Sequence, residues 1–595
     1  MRARRIRDLA ISVALTPAPP SHAGEGRFEP AVIARPRALV VAAVALALTA
    51  ALPVVAVVAR GIAPGAGATW AHLADTVLAR YVGNTLALVV LVGAGVAFGG
   101  TLTGWAVAQF RFRGSAFFEW ALLLPLAMPA YVMAYAYTDL LQYAGPVQGA
   151  LREAFGWSRG DYWFPDVRSL PGAATIFVFT LYPYVYLLAR TAFLERPAAF
   201  VEAARTLGLD RRRAFWRVEL PLARPAIAGG IALALMETLA DFGTVAYFAV
   251  DTFTTGIYRA WFSLGDRAAS AQLAAALLGF VLLAIMLERA SRGPARSVGS
   301  ARSRTPAADP RPWVGGGRGA ALATLCAIPV VVGFALPVAL LLRLVHAEPA
   351  IALSPRFLDW AWNSLRVAAI AAVIAVVFAG LVAYALRLAP GRVARSAARV
   401  LTLGYAVPGT VLAVGVLLPL GAVDGWIADL VRGITGASPG LVLTGTTVAL
   451  IYAYQVRYFA VAWNGIEPGF ARITPAMDAA ARSLGAGTAE TFRRVHAPLL
   501  SRSAAAALLL VFVDVMKELP ATLVLRPFNF DTLATQAYAL ARDERLAEAS
   551  PPSLAIVAVG LIPIVALARA SRRPSSSAAL PPPVALVGTD PAAPR

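Results

Sequence analysis

The 595-residue sequence predicts an all-α integral membrane protein of about twelve transmembrane helices, arranged as two parallel six-helix repeats. Three observations predict it. The residues are 59% hydrophobic and only 14% charged, too apolar for an ordinary soluble domain. Apolar runs of about 20 residues, the length that crosses a bilayer, recur along the chain. Landmarks in the first set of runs return in the second at a nearly constant offset.

Residues 1–36 are polar, contain Arg and Pro, and lack the early apolar core and cleavage pattern of a signal peptide. They read as a cytoplasmic tail ahead of an uncleaved first span. The first repeat, 37–289, holds apolar runs near 38–59, 84–108, 117–141, 172–193, 225–249 and 270–288. A linker over 290–318, rich in Pro, Gly, Ser and Arg, shows no helical periodicity. The second repeat, 319–573, has its runs near 320–344, 364–386, 398–420, 441–463, 503–525 and 551–569, and a second unstructured tail occupies 574–595.

Arginine sets the expected orientation. With a cytoplasmic N-terminus, inside loops hold Arg111 and Arg113, the cluster Arg205, Arg211, Arg212, Arg213 and Arg217, and the linker arginines. The second half adds Arg392, Arg395, Arg399, Arg482, Arg493, Arg494, Arg572 and Arg573, whereas outside loops are poor in charge or mix signs. This positive-inside pattern puts both termini in the cytoplasm of a cell whose inner (plasma) membrane the chain crosses repeatedly.

The repeat is read from matched positions. Asn84 in "GNTLALVV" matches Asn363 in "WNSLRVAA", and Pro129 in "LAMPAYV" matches Pro408 in "YAVPGTV", both at an offset of 279; Gly208 matches Gly485 at 277. Six spans is an even number, so both copies enter the membrane in the same sense and are related by an axis along its normal.

Composition also excludes. The net charge of +20 is carried almost wholly by arginine in short loops and tails, Lys517 being the only lysine, and no nucleic-acid-binding signature accompanies it. The basicity belongs to a lipid bilayer partner. The single cysteine, Cys326, allows no internal disulfide, and the four scattered histidines (His22, His72, His346, His496) argue against a metal centre. No catalytic residues, metal ligands or cofactor are expected.

The stretch "EAARTLGLDRRRAFWRVELP" (202–221) interrupts the apolar pattern between the fourth and fifth spans, and "AAARSLGAGTAETFRRVHAP" (479–498) interrupts it again. Glu202, Ala203, Ala204 and Leu207 suit a short helix that Gly208 can end in a left-handed conformation. A second short helix follows, with Asp210 as N-cap and Phe215, Val218 and Leu222 at helical spacing; Pro221 and Pro225 mark a bend into the next span. The product is a helix–turn–helix elbow. An interfacial amphipathic helix resting its arginines on headgroups shares this composition. The Ala–Ala, Gly and Pro landmarks, present twice at fixed spacing, favour docking of a soluble partner.

Those landmarks resemble the signature of ATP-binding-cassette importer permeases: Glu202-Ala203-Ala204, Gly208, Val218 and Leu220-Pro221. The second copy departs from it, with Ala479 where Glu202 aligns, Asp478 one residue earlier, Ala480, Ala481 and Gly485 retained, and Ala497 before Pro498. The resemblance spans nearly the whole chain between the tails. The fused two-copy form is most similar to ferric-iron-type permeases, through 236–269 and 513–550. It implies a type I importer fold, two cytoplasmic ATPase subunits seated on the two elbows, a periplasmic substrate-binding protein, and iron as cargo, with thiamine, polyamine or an oxyanion as alternatives.

Within the spans, Glu237 aligns with Asp514 and Asp241 with Glu518, each copy carrying two acids at i and i+4 on one helix face. Intramembrane acids are costly unless they face a cavity or a partner. They either line the translocation route for a cationic cargo or merely end the helices before Gly243 and Pro520, with Lys517 balancing Glu518. Tyr182, Tyr184, Tyr186 and Tyr452, Tyr454, Tyr458 are read as anchoring or packing residues, and Asn84, Pro129 and their counterparts as structural. A phosphate-cradling Gly-x-x-x-x-Gly-Lys-Ser/Thr loop is absent, so any ATP hydrolysis belongs to another chain and this one is no enzyme. A secondary transporter in parallel halves is the alternative of another class, and it offers no use for two matched elbows.

Overall fold

The computed structural model describes residues 37–63, 66–158, 160–195, 206–291, 311–349 and 354–572. In chain order the first half contains α1 (Arg37–Gly61), α2 (Gly67–Gln109), α3 (Ser115–Ala121), α4 (Ala130–Leu141), α5 (Pro146–Phe155), α6 (Leu170–Glu195), α7 (Arg212–Ala240), α8 (Gly243–Tyr247), α9 (Phe253–Tyr258) and α10 (Arg267–Ser291). The second half contains α11 (Gly316–Ala347), α12 (Pro355–Leu388), α13 (Arg392–Leu403), α14 (Gly409–Thr435), α15 (Thr447–Ala471), α16 (Pro475–Ser483), α17 (Thr488–Met516), α18 (Pro520–Leu525), α19 (Leu533–Arg542) and α20 (Leu546–Arg572). α10 runs on to Ser291 and α11 begins at Gly316, both inside the range expected for the linker.

Among the described residues, ten helices are long and apolar enough to cross a membrane, and the pair Ser115–Ala127 and Ala130–Phe155, bent by 91°, brings the number to eleven if it is taken as one span. α15, expected as a span, is not among them. It is 25 residues long, yet Arg457 and Glu467 lower its apolarity, and its buried face packs between α12 and α17. A helix covered by protein need not be as lipophilic as one facing lipid.

Two pairs of expected spans are corrected. The run at 117–141 breaks at Met128, where Pro129 caps α4, and the run at 398–420 breaks at Val407, where Pro408 caps α14. The residue before a proline is pushed out of the helical region, which is why both breaks fall there. The runs at 225–249 and 503–525 end at Ala240 and Met516, and their remainders turn back as α8 and α18.

The two halves repeat one another in detail. The Asn84 side-chain amide donates to the Asp251 carbonyl at 2.8 Å, and that of Asn363 donates to the Asp531 carbonyl at 3.1 Å. Thr252 with Thr255, and Thr532 with Thr535, form the same reciprocal cap at the starts of α9 and α19. Both asparagines are structural staples, as expected.

Each half builds a three-helix core, α2–α6–α7 and α12–α15–α17. Small residues allow close approach: a Cβ on Gly100 of α2 would stand 2.5 Å from Val185 Cβ of α6. The first helix of each half crosses to the other. α1 packs on α12, α13 and α14 of the second half and on α10 of its own, and α11 packs on α4 and α6 of the first half and on α20 of its own. Tyr137 marks one crossing, donating to the Val332 carbonyl at 2.6 Å, and Tyr452, donating to the Thr49 carbonyl, marks the other.

One buried carboxylate organises the loop between α14 and α15. Asp424 accepts from the Val442, Leu443 and Thr444 amides at 3.2, 2.7 and 2.9 Å and from the Thr444 hydroxyl at 2.6 Å. Asp424→Ala would leave three amides without their acceptor, and is expected to cost about 3 kcal/mol, read as a lowered unfolding temperature of the purified protein.

Candidate functional site

α7 and α17 end in the middle of the bundle, and the acids sit where they end. Asp241 accepts from the Thr244 and Val245 amides at 2.9 and 3.3 Å, capping α8. Glu518 accepts from the Ala521 and Thr522 amides, both at 2.9 Å, and from the Thr522 hydroxyl, capping α18. The second acid of each i, i+4 pair therefore does end one helix and start the next. The first acids have other partners. Glu237 accepts from the Tyr405 hydroxyl at 2.7 Å across the two halves. Asp514 is paired with Lys517 at 2.9 Å, so the lysine balances Asp514 and not Glu518. One helical turn brings i and i+3 together, whereas Glu518 has already turned away into the cap.

All four acids nonetheless face one cavity of about 120 Å³, lined also by Tyr131, Tyr184, Tyr405, Arg457, Tyr458 and Lys517. It has room for several waters or one ligated ion and is too small for a drug-sized molecule. The charged lining is four carboxylates against two cations, two formal negative charges in excess.

The tyrosine readings divide. Tyr182 and Tyr186 are buried and donate to the Leu122 and Glu119 carbonyls at 2.9 and 2.8 Å, a packing role. Tyr454 hydrogen-bonds Thr522 at 2.6 Å. Tyr184 and Tyr458 line the cavity, a correction to their reading as anchoring or packing residues. Arg457 and Tyr405 escaped the sequence reading. Arg457 is 7% exposed, and its Nε and Nη1 have no hydrogen-bond acceptor among the described residues. The available signal was an arginine in the middle of a span. Tyr405 had none, because its role depends on a contact from the other half.

The elbows lie at the opposite ends of α7 and α17. Glu202, Ala203 and Ala204 lie outside the described residues. Gly208 and Gly485 have φ of +81° and +80°, the left-handed turn expected at both. Immediately before them, Leu207 and Leu484 are 82% and 87% exposed. Asp210 caps the following turn, accepting from the Arg213 amide at 2.8 Å.

The expected bend at Pro221 and Pro225 is absent. α7 continues through both, and α17 through Pro498, behind π-helical turns at Phe215–Glu219 and Phe492–His496. A π turn widens the helix by one residue and accommodates a proline in the next turn. Phe215 and Val218 are half-buried, Phe215 packing on Trp105 at 5.4 Å, but Leu222 is 49% exposed and does not share their face. Leu220 is half-buried, Pro221, Pro498 and Ala480 are exposed, and Ala481 is buried. Asp478 turns inward to Arg387 and His496.

The model for the binding-protein-dependent transport system inner membrane component matches residues 87–291. The Fe(3+)-transport system permease protein FbpB 2 of Haemophilus influenzae is 24% identical over 497 residues, 82% of this chain and 90% of that protein. The probable molybdenum ABC transporter permease protein of Haloferax volcanii is 30% identical over 36% of this chain and 76% of its own length. The sulfate transport system permease protein CysT of Salmonella typhimurium is 28% identical over 25% of this chain, which spans 51% of it. With the paired elbows, the helical membrane fold and these relatives together, the chain belongs to the binding-protein-dependent transport inner membrane components, the permeases of ATP-binding-cassette importers.

Proposed function

We propose that this chain supplies both pore halves of an importer that moves ferric iron across the inner membrane, driven by two ATPase subunits on the elbows and fed by a substrate-binding protein on the other face. The excess of negative charge in the cavity carries the choice of cargo. A polyvalent cation is favoured there, whereas an oxyanion would meet four carboxylates in a region of low dielectric. Thiamine and polyamines are the cationic alternatives, and a cavity of about 120 Å³ suits an ion better than either. Both termini and both elbows are assigned to the cytoplasm.

The matched exposed leucines support the docking assignment. A leucine at the tip of an arginine-rich turn, facing away from its own core, gains by entering a partner's groove. Leu207→Asp combined with Leu484→Asp changes no internal contact of note. It is expected to weaken ATPase co-purification by at least about tenfold and to abolish uptake, since fully burying a leucine side chain contributes about 1.5–3 kcal/mol. Uptake of radiolabelled ferric ion into vesicles with no ATPase present would refute the importer reading.

A further inference from the structure

The two halves line the cavity unequally. Among the described residues the first half brings Glu237 and Asp241 and no cation, whereas the second brings Asp514 and Glu518 together with Arg457 and Lys517. At the offset of 277 that relates Glu237 to Asp514, Arg457 aligns with Thr180 and Lys517 with Ala240, and both of those also line the cavity. Thr180 keeps its hydroxyl on its own helix, donating to the Ile176 carbonyl at 2.9 Å. Both cations are therefore particular to the second half.

They are held differently. Lys517 is committed to Asp514 at 2.9 Å. Arg457, in the middle of α15, is 7% exposed, and its Nε and Nη1 have no acceptor among the described residues. Glu518 beside it is engaged with the Ala521 and Thr522 amides. The seat of the guanidinium is nonetheless built. A Cβ at residue 409 would stand 2.8 Å from Arg457 Nη1 and 3.0 Å from Glu518 Oε1, so glycine at the start of α14 leaves the head group room beside that carboxylate. The first half has Ala130 at the matching position, offset by 279 as Pro129 is from Pro408. The other acids are engaged too, with a helix cap, Tyr405 and Lys517, so an entering cation meets the lining first as summed charge.

We propose that Arg457 is the release group of the cavity: its unbonded positive charge weakens the lining's hold on a cationic cargo, so that the ion leaves as readily as it enters. A conducting site must bind strongly enough to admit an ion and weakly enough to let it go. Without Arg457 the lining's excess rises from two to three formal negative charges in a region of low dielectric, and the ion is trapped. A buried arginine placed only to balance a carboxylate is bonded to it; one left unbonded at a cavity wall acts on what enters. The inference rests on the cationic-cargo reading and adds to it the residue that sets how tightly cargo is held.

Terbium(III) tests it as a hard trivalent probe, its luminescence excited through the lining tyrosines of the full-length protein purified with its ATPase. Arg457→Gln should tighten terbium binding about tenfold. Arg457→Lys keeps the charge and gives up a fork whose Nε and Nη1 make no bond, so it should bind within about threefold of the unaltered protein. Glu237→Gln alone should loosen binding about tenfold, and adding Arg457→Gln, which returns the excess to two, should restore it. That comparison stands even where Arg457→Gln alone does not fold. In proteoliposomes with the ATPase and the substrate-binding protein, Arg457→Gln should lower the maximal ferric uptake rate about tenfold, because a more tightly held ion leaves more slowly. Unchanged or weaker terbium binding in Arg457→Gln would overturn the proposal, as would failure of the paired variant to regain it. Arg457→Lys behaving like Arg457→Gln would overturn it as well, since the fork and not the charge would then matter. Terbium binding left untouched by Glu237→Gln and Asp514→Asn together would instead overturn the cationic-cargo reading, and the release group with it.

Discussion

Changing Glu237 to Gln and Asp514 to Asn together is expected to reduce ferric-ion uptake by about a hundredfold while the protein still folds and binds its ATPase. The pair removes two carboxylates and brings the cavity lining from two formal negative charges in excess to neutrality. At 4 Å and an effective dielectric near 20, one charge pair is worth about 4 kcal/mol, and if partial hydration leaves about 3 kcal/mol of it the loss is about a hundredfold. The amide that replaces the Glu237 carboxylate can still accept from Tyr405, so the bond between the halves survives. The amide that replaces the Asp514 carboxylate leaves Lys517 without its ion pair, which adds to the loss by turning the lysine toward the cargo. Asp241 and Glu518 are unsuitable for this test because they hold α8 and α18 in place. Transport assays with ferric ion in proteoliposomes read the effect, and full uptake with unchanged cargo preference would end the cavity's role.

Gly404→Val should remove the protein from the membrane altogether. A Cβ at Gly404 would stand 1.9 Å from the Val456 carbonyl oxygen and 2.9 Å from its carbon, and both contacts are backbone, which cannot rotate away. The turn before α14 and helix α15 would have to separate by more than about 1 Å, costing about 3 kcal/mol or more, at the upper end of overpacking effects. The damage extends to function, since Tyr405 and Arg457 are the next residues on either side of this contact and both line the cavity. Yield and unfolding temperature in detergent measure it. Gly421→Ala, a helical glycine with no atom within 4 Å of the added carbon, is the control and should be neutral or slightly stabilising.

What was legible in the sequence was whatever repeats or lies close along the chain. Asn84 and Asn363, Gly208 and Gly485, and the four acids fell where the spacing put them, because one covalent pattern appears twice and each copy solves the same packing problem. Contacts between distant segments left no such trace. Tyr405 meets Glu237 from 168 residues away, whereas Arg457 could have been noticed only as an arginine inside a span, with nothing to tell which cavity it enters. Span boundaries failed where a polar side chain caps a short helix inside the bundle, as at Asp241 and Glu518. An apolar run continues through such a point while the backbone turns.

The crossing of α1 and α11 has a consequence for biogenesis. α1 is the first helix delivered to the bilayer, yet α12, α13 and α14, on which it rests, emerge only after the whole first half has been translated. Until then only α10 of its own half packs on it, and the rest of its inward stripe of Ala43, Ala47, Pro53 and Val57 has lipid or a chaperone to meet. Synthesis of the amino-terminal portion alone therefore yields an unfinished object, and the covalent fusion keeps the missing seat on the same messenger, arriving once for every α1 that waits.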